Sequence, residues 1–127
     1  MKQVQKAEEI SNIAFGFMAS KALFVALHCN LFSLLSNKAL SSNDVALLVK
    51  VPENRISTIC TALTSIGLLT RKDGLYRNSI GAEKYLVKGA KYDFGDYLRL
   101  QIDRQMYGFM QQLEGCLLYT SDAADEL

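Results

Sequence analysis

Residues 51–79 read VPENRISTICTALTSIGLLTRKDGLYRNS, and within this stretch the period of the apolar residues changes. Up to Gly67 it is helical. Pro52 suits the first helical position, where a missing N–H costs no bond, and Glu53 suits the positive end of the helix dipole. Ile56, Ile59, Cys60, Leu63 and Ile66 keep helical register, and Gly67 suits a C-terminal stop. Beyond it the pattern is a short strand, a Lys72-Asp73-Gly74 turn and a second strand. Asp-Gly between two such runs is a hairpin signal, because hairpin turns need left-handed backbone.

Upstream, LSSNDVALLVKV opens with Ser41-x-x-Asp44, a capping box with Asp in place of Glu. Val45, Leu48 and Val49 form a short apolar stripe. Further back, ISNIAFGFMASKALFVALHCNLFSLLS reads as helix with a break near Gly16, and Leu23, Leu27, Leu31 and Leu34 form one stripe. The polar residues 1–9 are expected to fray. Downstream, Ser79 starts a short helix through Ala82, Tyr85 and Leu86 that ends near Gly89. A last helix carries Phe94, Tyr97, Leu98, Ile102, Met106, Phe109 and Leu113 on one side. Asp96, Arg99 and Asp103 lie on the other, spaced for helix-surface ion pairs. The order helix, short helix, turn, longer helix, hairpin predicts a mainly α fold: a winged helix-turn-helix with a short β-hairpin wing and extra dimerisation helices.

The chain has 127 residues, 50% of them hydrophobic, which suffices for one domain with a core but not for an added nucleotide-binding catalytic domain. The single proline and the long periodic runs argue against disorder. The three cysteines form no C-x-x-C pair, and Cys29 and Cys60 read as buried, reduced thiols of a cytoplasmic protein. No secretory leader opens the chain. Lys21, His28 and Asn30 interrupt the most apolar region, whereas a membrane span needs about 20 predominantly apolar residues, so a span is rejected.

The first helices are apolar on more than one side. Phe15, Phe17, Phe24, Val25 and Phe32 lie off the leucine stripe, and one domain of this size covers one side. The remainder would be a patch that soluble monomers rarely expose. These five residues are therefore expected to form a homodimer interface.

A winged helix raises DNA binding, and the charges oppose it. Net charge is +1. The would-be reading helix offers one base, Arg55, beside Glu53, and its face is mostly Ser57, Thr58, Thr61, Thr64 and Ser65. Arg71, Lys72 and Arg77 of the wing are partly offset by Asp73. Tight binding usually needs about 6–10 phosphate contacts. A DNA-binding regulator stays as the alternative, and a dimerisation module with neither activity as a third reading.

From about Ile13 to Leu113 the chain resembles the N-terminal region of S-adenosylmethionine-dependent O-methyltransferases acting on small molecules, the plant caffeate-type, acetylserotonin and bacterial natural-product enzymes. The residues that carry the resemblance are SKALFVALHCNLFSLL, the stretch from Leu40 to Ser79, AEKYLVKG and DYLRLQIDRQMYGFMQQLEG. Gly67-Leu68-Leu69 and Tyr76 occupy the wing positions of the family pattern. The resemblance implies an intertwined homodimer in which this region walls the acceptor pocket. It places Phe17 and Met18 where side chains enter the partner's pocket, and Tyr97, Met106 and Tyr107 along the acceptor site. It implies a methyl group moving from S-adenosylmethionine to a hydroxyl of a small, aromatic or polyketide-like acceptor.

The chain departs from the family in lacking the catalytic half. It holds no glycine-rich donor-binding run, and the family's basic histidine belongs to that half; His28 here reads as a packing or surface residue. No catalytic residue, cofactor-binding residue or metal site is expected within it. S-adenosylmethionine belongs to the full-length parent, and neither nucleic acid nor membrane is an expected partner. The C-terminal string supports truncation. A transposase sequencing adaptor read in one frame, TGT CTC TTA TAC ACA TCT GAC GCT GCC GAC, translates to residues 116–125. Residues 1–115 are thus expected to be the native domain, and residues 116–127 adaptor read-through.

Overall fold

The computed structural model describes residues 2–118. These fall into two compact units, one ending at Gly95 and one beginning at Asp96.

The first unit opens with α1 (Ala7–Ala14) and α2 (Gly16–His28), separated by a break at Phe15, one residue from the expected place. Helix α1 starts at Ala7, inside the stretch expected to fray, with Glu8 and Glu9 at the positive end of its dipole. Asn30 then takes left-handed φ of 57°, which ends α2 and starts the single turn α3 (Leu31–Leu34) in a new direction. The four-leucine stripe is therefore not continuous. Leu27, Leu31 and Leu35 are buried, while Leu23 and Leu34 are half-buried.

Helix α4 (Ser42–Val49) is capped as the sequence suggests: Ser41 Oγ accepts the Asp44 N–H at 3.1 Å. It buries Val45 and Ala46, and Leu48, expected in its apolar stripe, is exposed together with Leu47. Helix α5 (Glu53–Ser65) has Pro52 as its N-cap and inserts Ile56, Cys60 and Leu63. It packs on α4, α2 and the first strand. Gly67, at φ 86°, closes the turn after it.

Strands β1 (Leu69–Lys72) and β2 (Leu75–Asn78) pair antiparallel, Leu69 opposite Asn78 and Lys72 opposite Leu75. Asp73 and Gly74 are both left-handed, at φ 54° and 76°, as the expected Asp-Gly turn requires. Leu40 and Tyr76 exchange both backbone bonds, at 3.0 and 2.7 Å, adding a third edge to the hairpin. Helix α6 (Ile80–Tyr85) follows, with Ser79 Oγ accepting the Ala82 N–H. The predicted mainly α, winged helix-turn-helix fold is what forms.

Phe32, Leu31, Leu35, Leu63, Leu69, Val45 and Cys60 are the most deeply buried side chains, each large one contributing roughly 1.5–3 kcal/mol. A polar lock sits at the edge of this core. Asn78 Nδ2 donates to the Phe32 carbonyl at 2.8 Å and to Glu83 at 3.4 Å. Glu83 also accepts from Ser36 Oγ (2.8 Å) and the Asn37 N–H (2.9 Å). Burial alone would raise the Glu83 pKa, and these bonds outweigh it, holding the carboxyl below its ordinary value.

The second unit departs from the single amphipathic helix expected. Helix α7 (Gly95–Tyr97) runs into a π-helix over Leu98–Tyr107, followed by α8 (Gly108–Met110) and α9 (Leu113–Leu118). The wider π turn takes side chains spaced for an α-helix out of line. Arg99 pairs with Asp96 at 3.1 Å as its spacing suggests, but Asp103, expected beside them in solvent, is buried. Cys116 to Leu118 lie in α9, and the rest of the string read as adaptor falls outside the described residues.

All three thiols are free. Burial, then the nearby Cys29, pushes the Cys60 thiol up to about 11; burial also raises Cys29. Because the unfolded thiol ionises first, stability should fall as pH rises from about 9 towards 11, by roughly 2 kcal/mol from Cys60. Urea unfolding across that range should show a shallower fall in Cys60→Ala. For Glu83 the sign is opposite: its contribution is present above the ordinary glutamate range and lost as pH drops through the lowered folded pKa. Glu83→Gln should cost about 1 kcal/mol at pH 7 and little at pH 3, measured the same way.

Candidate functional site

The five aromatic and aliphatic side chains expected at a dimer interface divide into two sets. Phe24 and Phe32 are 4% and 1% exposed. They lie in the chain's own core, so the expectation that they meet a partner is corrected: neither has area left to give. Phe24 lies on the face that α2 itself buries, and the turn at Asn30 takes Phe32 out of the line of α2, where its carbonyl accepts from Asn78 of β2. Phe15, Phe17 and Val25 remain exposed, Phe17 at 57%.

Phe15 is the break between α1 and α2. Its N–H donates to the Ser11 carbonyl at 3.0 Å and its own carbonyl accepts from Met18 N–H at 3.1 Å, so it ends one helix and begins the next. Ile10 and Ile13 on α1 and Met18 on α2 are exposed as well, so six large apolar side chains of these two helices and the break between them face solvent. Ile10 and Ile13 were missed as surface residues, although both recur at three-residue spacing with Phe17 following at four. By length and composition, Ala7–His28 is also a helical run that could cross a membrane, despite the polar residues Lys21 and His28. A core helix of a soluble protein passes the same test.

Of the expected pocket residues, Phe17 and Met18 stand in the first turn of α2. Tyr97 ends α7, and Met106 and Tyr107 close the π segment, in the second unit. Tyr97 and Met106 are exposed and Tyr107 is half-buried. All five are apolar or phenolic, suited to stacking on a flat ligand and without a group that moves a proton near neutral pH. His28 is exposed at the last turn of α2. Among the described residues no cluster of three His, Cys, Asp or Glu side chains could hold a metal ion.

On the face of α5 that a DNA reader would use, three of the five hydroxyls turn back on the helix. Thr58 Oγ1 donates to the Asn54 carbonyl at 2.9 Å, Thr64 to Cys60 at 2.7 Å and Ser65 to Ala62 at 2.7 Å. Beside it, an open cleft of about 540 Å³ lies between α4 and α5, walled by Ala46, Leu47, Val51 and Pro52 with Lys50 and Glu53 at its rim.

A family model described as O-methyltransferase dimerisation domain matches residues 11–88. The chain is 28% identical over 105 residues to a 3-hydroxy-5-methyl-1-naphthoate 3-O-methyltransferase of Streptomyces sahachiroi, covering 83% of this chain and 30% of that protein. It is 30% identical over 93 residues to the tetracenomycin polyketide synthesis 8-O-methyl transferase TcmO of Streptomyces glaucescens, covering 72% and 27%. A solved structure of PigF with SAH superposes with a TM-score of 0.81 at 25% identity, covering 87% of this chain and 32% of that one. The chain thus spans about 30% of the length of the curated relatives it matches.

The division of the phenylalanines is measurable. Phe32→Ala should cost about 3–5 kcal/mol in urea unfolding at any chain concentration. Phe15→Ser should cost under about 1 kcal/mol in dilute solution, with any larger effect growing as chain concentration rises.

Proposed function

The chain belongs to the O-methyltransferase dimerisation domain family, and on that premise we propose that it forms the dimer and one wall of the acceptor pocket in a longer small-molecule O-methyltransferase. Phe15, Phe17 and Val25 are assigned to the contact with a second copy. The observation that carries the reading is the exposed apolar surface of α1 and α2, most of which falls within the segment covered by the family match. Burying each large side chain there would gain roughly 1.5–3 kcal/mol, enough for several to hold two chains together.

In this reading Phe17 and Met18 reach into the partner's pocket, and Tyr97, Met106 and Tyr107 line the acceptor site, which takes a flat, mostly apolar acceptor bearing a hydroxyl. The hydroxynaphthoate and tetracenomycin named for the two Streptomyces relatives support an aromatic, polyketide-like class. S-adenosylmethionine would supply the methyl group in the whole enzyme. The sheet of this chain is a two-stranded antiparallel hairpin, whereas the donor's cradle lies at the carboxyl ends of parallel strands. These residues do not fit the donor, and its binding is assigned to a further domain, with the proton-accepting base. What this chain adds is orientation and exclusion of water, since holding the reacting atoms in line carries much of such a rate. The reading includes a cytoplasmic protein with no metal, membrane or nucleic-acid partner, and residues 116–127 as adaptor read-through.

Light scattering coupled to size exclusion should return twice the chain mass. Phe15→Glu combined with Val25→Glu should return one chain mass with unchanged helical circular dichroism. A stable monomer of the unaltered chain at high concentration would overturn the proposal.

A further inference from the structure

A second surface on the first unit stands apart from the apolar helices. The Phe94 N–H donates to the Tyr85 carbonyl at 3.0 Å and closes residues 85–94 into a loop. Two turns brace it from within, Ala90 N–H to Val87 and Asp93 N–H to Ala90, each at 3.1 Å. Lys88 N–H donates to Ser33 Oγ at 3.0 Å, and Leu86 is buried. At Gly95, where the loop leaves, an added Cβ would lie 3.1 Å from both Leu27 Cδ2 and Asp93 Oδ1, so the backbone there presses on the core. Compact loops with joined ends are frequently functional.

This rigid loop holds Tyr85, Tyr92 and Phe94 at the surface, Tyr92 being 53% exposed. Phe94 meets Tyr85 edge-on, with centroids 6.1 Å apart, and Tyr92 lies 6.5 Å from Tyr85. Lys84 Nζ stands 5.2 Å from the Tyr85 centroid and 5.3 Å from that of Tyr92; Lys91 Nζ is also 5.3 Å from Tyr92. Two cations thus converge on one ring. Both stand over the electron-rich face of a ring that is itself more than half exposed. Among the described residues neither ammonium is paired with a carboxylate. The nearby Asp93 accepts the Gly95 N–H at 2.8 Å. Residues 85–94 hold Lys88, Lys91 and one carboxylate, Asp93; Lys84 precedes them beside Glu83, in a chain whose total charge is +1.

We propose that this loop is a docking platform for a carboxylate-bearing protein surface. Exposed tyrosines held rigidly beside cations are the side chains that dominate protein contacts, and an acidic partner relieves the repulsion between the two lysines. Three lysines fall short of the roughly 6–10 phosphate contacts that tight nucleic-acid binding uses. The family match ends at residue 88, inside the loop, and the inference does not depend on the O-methyltransferase reading.

The test titrates the full chain into a fluorescein-labelled oligoglutamate peptide and reads anisotropy. Binding is expected at low salt, weakening as ionic strength passes about 0.1 M. Lys84→Gln with Lys91→Gln should weaken it by about five-fold or more, and Tyr92→Leu similarly, with circular dichroism unchanged. Lys2→Gln with Lys6→Gln removes the same charge elsewhere and should leave it within about two-fold. Equal weakening by the two lysine pairs would overturn the proposal. So would absence of oligoglutamate binding, or preference for phosphatidylserine vesicles or duplex DNA over the peptide.

Discussion

The turn at Asn30 decides which apolar side chains of the first helices become core. A continuous helix from Gly16 onward would carry Leu31 and Leu34 along the stripe begun by Leu23 and Leu27. Left-handed backbone at Asn30 breaks that line, and Leu31, Phe32 and Leu35 beyond it are buried. Asparagine tolerates this conformation better than most residues, because its short polar side chain can bond locally. The other side of α1 and α2, with Phe15, Phe17 and Val25, stays exposed. The exposed surface and the core are two results of one backbone constraint.

The elements with strong local signals were readable in advance. Ser41, Ser79 and Asp73-Gly74 act through bonds and dihedrals within a few residues, so their effect is written in adjacent letters. Helix α5 kept its register for the same reason, with Ile56, Cys60 and Leu63 at helical spacing. The errors occur where distant packing or an altered helical period intervenes. Phe32 looked surplus because the Asn30 corner is invisible to a count of apolar residues, and Phe24 because such a count does not show which face of α2 is buried. Leu48 falls in a stripe with Val45 and Val49 by spacing, yet the helix buries Ala46 beside Val45 and leaves Leu48 exposed. Asp103 has the spacing of a surface ion pair, and the π geometry removes it from that line.

The residues proposed for the acceptor site stand out in the sequence by type alone. Phe17, Met18, Tyr97, Met106 and Tyr107 have the right chemistry for a flat apolar ligand, and nothing in their local pattern separates that role from packing. The aromatic loop at residues 85–94 left a weaker trace. Its Lys-Tyr pairs at residues 84–85 and 91–92 stand seven positions apart, and only the bond between Tyr85 and Phe94 brings their rings together. A pattern read along the chain registers the two pairs separately.

The segment between Asn37 and Ser41 is short, and it is gripped three times. Asn37 gives its N–H to Glu83, Leu40 trades two backbone bonds with Tyr76, and Ser41 caps α4. Connecting loops ordinarily accept insertions at little entropic cost. Here one added residue would leave Glu83, the hairpin edge or the helix cap without its partner. This linker therefore works as a ruler between wing and helix-turn-helix, and its length should drift far less over evolutionary time than its position outside regular structure would suggest.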